Sequence, residues 1–111
     1  MDELTVEELT QKSARLADFA AYQKESIVSR KIIQKKTGSV TFFAFDQGQE
    51  LSMHSAPCDA LVYLVEGEAE IQIDEKIHHV SSGQILMFPA NRPHAVKATK
   101  RFKMLLIMIK G

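Results

Sequence analysis

Two histidines that could do chemistry close stretches marked by glycine or proline. His54 closes the stretch Gly48-Gln49-Glu50-Leu51-Ser52-Met53-His54, and His94 follows Pro89-Ala90-Asn91-Arg92-Pro93. A neutral imidazole ligates transition metals or accepts a hydrogen bond, and it changes charge near neutral pH. Two imidazoles alone make a poor metal site. A catalytic zinc typically takes three protein ligands, and a non-haem iron takes two histidines and a carboxylate. Alternate residues of a strand share a face, so 50, 52, 54, 56, 58, 60 and 62 are expected on one side. That parity offers Glu50, near the strand entrance, and Cys58 as further ligands, although a lone cysteine is usually a small buried hydrophobe. Asp59 has the opposite parity and is expected to cap a turn or pair with a base. His78-His79 is a poor chelating pair, because adjacent strand residues point to opposite faces; one is expected beside Val80 and the other in solvent.

The elements that position these residues are mostly strands. The chain has 111 residues, 45% apolar and 25% charged, the composition of one ordinary globular domain. Thr5 and Glu8 have capping-box spacing between Leu4 and Leu9, which predicts a short N-terminal α-helix ending near Phe19 or Tyr22. An N-terminal arm over 1–25 is thus expected to precede a strand domain over 26–111. After Gln23 the pattern turns to β-branched and aromatic residues. Ser26 to Gln34 and Ser39 to Phe45 read as a hairpin around Lys35-Lys36-Thr37-Gly38. Strands are also expected over 51–54, 60–65, 69–74, 77–80, 85–88, 94–98 and 102–109. Many short strands with regular turns predict a sandwich or barrel. The run Met104 to Ile109 is apolar on both faces, so its outer side needs cover from the helix, a second subunit or both.

The formal net charge is zero, which argues against a generic nucleic-acid binder. It conceals blocks of −3 over 1–25, +4 over 26–36, −8 over 37–75 and +7 over 76–111. The last two blocks are expected to meet across neighbouring strands. One cysteine forms no internal disulfide, which predicts a reducing, cytoplasmic setting. No apolar run reaches the roughly 18–20 residues of a membrane span, and the acidic Met1-Asp2-Glu3 start is unlike a signal peptide.

The two histidine stretches together resemble the two motifs of the cupin family. The first motif is a glycine, five residues, His-x-His, a spaced Glu and a further glycine. Gly48, His54 and Gly67 fit it, with Ala56 at the second His position and Ala60 at the Glu position. The second is a glycine, five residues, Pro-x-Gly, two residues, His, three residues and Asn. Gly83, Pro89 and His94 fit it, with Asn91 in place of the glycine and Ala98 in place of the asparagine. The resemblance spans about 37–109 and looks closest to small single-domain cupins. It implies an all-β fold, a double-stranded β-helix (jelly-roll) barrel of RmlC-like type with the short helix in front, usually a homodimer.

In metal-binding cupins, three histidines and a glutamate hold Fe, Mn, Ni, Zn or Cu inside the barrel. Here alanines stand at two of those positions, which leaves His54 and His94 for a weakly held metal, with Cys58 a remote third ligand. A pocket lined by His54, His94, Ala56, Ala60, Val62, Phe88 and Val96, with Met104 and Met108 deeper, suits a small, largely apolar or aromatic ligand. The leading expectation is therefore a small-molecule-binding cupin with little or no catalytic metal. The alternatives are a metal-dependent isomerase, decarboxylase or dioxygenase-like enzyme using His54 and His94, and a sensor or interaction module serving a separate regulator. No membrane partner is expected.

Overall fold

A computed structural model describes residues 4–110; Met1 to Glu3 and Gly111, the ends of the expected arm and strand domain, lie outside the described residues. Eight antiparallel strands follow the N-terminal segment. They are β1 (Ile27–Lys35), β2 (Gly38–Phe45), β3 (Glu50–His54), β4 (Asp59–Ile73), β5 (Lys76–Ser81), β6 (Ile85–Phe88), β7 (His94–Lys97) and β8 (Phe102–Ile109). The long β4 belongs to two sheets. Its first half pairs with β8 and β6, extending a sheet ordered β1-β2-β8-β4-β6, and its second half pairs with β5 and β7, extending β3-β7-β4-β5. The sequence suggested two strands over 60–65 and 69–74 with a turn between. The chain instead bends within one strand at Glu66-Gly67, where the pairing with β8 shifts register. Gly67 has φ of +82° there, and a Cβ would stand 2.2 Å from the Arg101 carbonyl oxygen, so the close approach of β8 requires glycine.

Side-chain alternation sorts the core. Along β4, Ala60, Val62, Leu64, Ala69, Ile71 and Ile73 are buried together with Phe45, Phe88, Val96, Ala98, Phe102 and Met104 between the sheets. Phe45 stacks on Phe102 with centroids 4.5 Å apart and closes one end of the barrel. His54 and His94 pair in register at the opposite end.

The N-terminal segment differs from the expected α-helix. It forms two 3-10 turns, Glu7–Thr10 and Leu16–Asp18, with Arg15 extended between them. The capping box itself forms: the Thr5 N–H donates to Glu8 Oε1 at 3.0 Å and the Glu8 N–H to Thr5 Oγ1 at 3.2 Å. What replaces the helix is tertiary bonding. The Lys103 ammonium donates to the Ala17 carbonyl at 2.5 Å, and the Arg30 guanidinium donates to the carbonyls of Phe19 at 2.5 Å and Leu4 at 2.8 Å. In a helix ending at Phe19 both carbonyls would belong to the last turn, whose C=O groups take partners from outside the helix. Phe19 meets Phe42 edge-on at 6.1 Å, and Phe19 and Ala20 pack with Phe42 and Ala44 on the outside of the first sheet. The arm thus covers part of the second apolar face that the sequence left open.

The charge blocks meet as expected. Asp46–Arg101, Glu66–Lys103, Glu68–Lys100 and Asp74–Arg92 each join a carboxylate of 37–75 to a base of 76–111.

Candidate functional site

The mouth of the barrel is built by two loops fastened to each other. The Asn91 N–H donates to the Ala56 carbonyl at 2.7 Å, and the Ala90 N–H donates to Asp59 Oδ1 at 2.9 Å, the turn-capping role expected for Asp59. Asn91 takes φ of 64°, a left-handed conformation that asparagine tolerates better than most residues. The loop therefore keeps its tight turn without glycine. It delivers Phe88 at the end of β6 and His94 at the start of β7 to the same place.

There the rings assemble. His54 and His94 lie with centroids 4.4 Å apart at 63°, and Phe88 stacks on His94 at 4.1 Å and 13°. His54 Nδ1 lies 2.8 Å from the Ser52 carbonyl and His94 Nδ1 lies 3.2 Å from the Arg92 carbonyl. A carbonyl only accepts, so each Nδ1 carries the proton and each Nε2 keeps its lone pair in the neutral ring. Among the described residues neither Nε2 has a hydrogen-bond partner. No enclosed side-chain nitrogen or oxygen lacks a partner among the described residues, so the Nε2 of the buried His94 is open to solvent. Burial lowers the His94 pKa from its ordinary value, the neighbouring His54 adds to this, and the Arg92 carbonyl opposes it. The imidazole of His94 is thus held as a neutral acceptor.

Of the other expected lining residues, Ala60, Val62, Phe88 and Val96 are buried in the core, and Ala56 is half-buried in the mouth loop. Val62 and Val96 are packed among Leu64 and Ile71, so they form a floor below the histidines. One of the proposed extra ligands, Glu50, is placed elsewhere. Leu51 pairs with Val96 and His54 with His94, three steps on β3 against two on β7, and this bulge puts Leu51 and His54 on the same side. Glu50 consequently pairs with Lys97 on the outer face, opposite to the parity expected. Cys58 is buried, and no group of three or more His, Cys, Asp or Glu able to hold a metal ion occurs among the described residues. His78 is half-buried in register with Ile71 and His79 is exposed, which separates that pair as expected.

Two features escape strand-by-strand reading. Ser39, Met108, Ala60 and Phe88 form one register row, so Ser39, which the sequence did not single out, faces inward at the His94 end beside Met108, which was expected deep in the pocket. On the outside of the second sheet, Glu50, Lys97, Glu70 and His79 form another row beside a depression of about 380 Å³ floored by Gln72 and Ala95. Only strand pairing reveals either row; the alternating polar residues of β3, β4 and β7 were the available signal for the second.

Comparison with known proteins agrees with this architecture. Residues 41–110 match the family model described as Cupin domain. A conserved protein of unknown function from Streptococcus pyogenes is 37% identical over 90% of this chain and 88% of its own, with a TM-score of 0.87. A cupin superfamily protein from Desulfitobacterium hafniense is 27% identical over 91% and 93%, also with a TM-score of 0.87. A cupin 2 conserved barrel domain protein from Leptotrichia buccalis is 41% identical over 85% of this chain, which spans 46% of that one, with a TM-score of 0.82. No curated protein matches the chain.

Proposed function

The chain belongs to the cupin family, and from that premise we propose that it binds a small, largely apolar or aromatic molecule at the mouth of its barrel, as a cytoplasmic homodimer. One observation carries this reading. Two imidazoles stand side by side with each Nδ1 occupied by a backbone carbonyl, each Nε2 free to accept, and Phe88 stacked against one of them. Acceptors select donors, so the ligand is expected to carry an O–H or N–H group on an apolar body, as a phenol does. The single buried thiol suits a reducing compartment.

The metal that many cupins hold requires more ligands than this mouth supplies. Ala56 and Ala60 offer no lone pair at the two remaining family positions, and Cys58 does not join the histidines in a ligand group. The residues present do not fit a complete protein-held metal site. The competing reading, a metal-dependent enzyme using His54 and His94, shares the free Nε2 atoms. One experiment separates the two: thermal-shift screening of phenols, indoles and small carboxylates on protein purified without a metal-affinity tag, with elemental analysis of the same sample. Stabilisation by donor-bearing aromatics without added metal is expected, and is expected to vanish in the His54→Ala/His94→Ala variant. Stoichiometric metal, or stabilisation indifferent to both substitutions, would overturn the proposal.

A further inference from the structure

The outside of the first sheet is apolar beyond the reach of the arm. Ile33 pairs with Val40, Val40 with Ile107, Ile107 with Leu61 and Leu61 with Met87, a straight row across β1, β2, β8, β4 and β6. Ile85 and Ile109 flank it, and Ile33, Ile85, Met87 and Ile109 are 49%, 62%, 54% and 63% exposed. Among the described residues the arm does not cover them: Arg30 and Lys103 fasten it over Phe42 and Ala44.

A second copy of the chain fits this face best. With strands about 4.8 Å apart, the row and its flanks cover a face of roughly 25 by 20 Å, or ~500 Å² in projection and more in accessible surface. A standard interface takes about 800 Å² from each partner, within reach once the bordering loops are added. An isologous contact needs a patch that complements itself. Beside the apolar row runs a second one, Lys35-Gly38-Ile109-Asp59, with a cation toward one end and a carboxylate toward the other. A two-fold axis parallel to the strands lays the Lys35 end of one copy over the Asp59 end of the other.

The same face backs the histidine site. β6 has four residues and pairs with β4 alone. Phe88 points inward onto His94, whereas Ile85 and Met87 point outward into the apolar patch. We propose that a second copy seated on this row clamps β6 through Met87 and Ile85, so that dimer formation orders the Phe88–His94 side of the site. This rests on the dimer and ligand reading above and adds a link between its two parts: the interface supports the strand that carries Phe88.

The test measures association by sedimentation equilibrium and hydrogen exchange of the β6 peptide by mass spectrometry, in the parent chain and in Ile107→Glu. Position 107 lies on β8, with Leu61 of β4 between it and Met87 of β6, so the substitution does not touch β6 directly. Circular dichroism shows that the variant remains folded, with Ile109→Lys as a second variant should Ile107→Glu fail to fold. The parent is expected to be a dimer with slow β6 exchange, and the variant a monomer whose β6 amides exchange at least tenfold faster. Both measurements are made without ligand, so failure of the ligand reading leaves this result unchanged. A monomeric parent, or a monomeric folded variant with unchanged β6 exchange, would overturn the proposal.

Discussion

The ring of Phe88 lies nearly parallel to that of His94, with centroids 4.1 Å apart. One face of the imidazole is therefore shielded by hydrocarbon, and its edge meets His54. This arrangement keeps His94 neutral, positions its free nitrogen at the mouth, and makes Phe88 both a core residue and a wall of the site.

Truncating that wall should be costly. Phe88 is 3% exposed, and Phe88→Ala is expected to destabilise the fold by about 3–4 kcal/mol, as large-to-small core substitutions do. Chemical denaturation would measure it. A loss below about 1 kcal/mol would mean that the ring is not packed as described.

The shielding also sets a pH dependence. The His94 pKa is lowered in the folded state, so between that value and the ordinary one near 6.5 the unfolded chain binds the extra proton. The contribution is fully present above about pH 6.5 and is lost as pH falls through that window. Stability should decline below pH 6.5, and His94→Gln should flatten that part of the profile. An identical decline in the variant would assign it to other groups.

The arm offers an independent check. Arg30 donates to the carbonyls of Phe19 and Leu4 and stacks over the Phe19 ring at 4.0 Å. Charge-assisted bonds of this kind contribute about 1.5–3 kcal/mol each. Arg30→Ala should release the arm, seen as faster tryptic cleavage after Arg15 with the strand core intact. Unchanged cleavage would contradict the fastening role.

Asn91 isolates the turn that joins the mouth loops. Its φ of 64° predicts that Asn91→Gly is neutral within about 0.5 kcal/mol, whereas Asn91→Val costs roughly 1–2 kcal/mol from the left-handed backbone. Thermal unfolding of the pair would show the difference; equal melting temperatures would not fit.

Much of this was legible in the sequence, and the failures have physical causes. Turn residues and β-branched runs marked the strands, and Gly48, Gly67, Gly83 and Pro89 placed the two histidines in family register. The helix is interrupted where Arg15 is extended between the two turns, and the segment is held instead by Arg30 and Lys103, distant in sequence. Glu50 failed because a bulge between Leu51 and His54 reverses parity, and local composition does not announce a bulge. The inward placement of Ser39 depends on the pairing of β2 with β8, so no single strand carries it. The outward row through Ile107 was half visible: Met104 to Ile109 had two apolar faces, yet which half the arm would cover was a tertiary question.

The central claim, that His54 and His94 present two free acceptors to a donor-bearing ligand, is tested most directly by calorimetric titration with phenol. Anisole, which lacks the O–H donor, serves as the comparison. The account predicts measurable phenol binding near pH 7.5, at least tenfold weaker binding of anisole, and no binding of either by His54→Ala/His94→Ala. Equal affinity for phenol and anisole, or phenol binding that survives loss of both histidines, would contradict it.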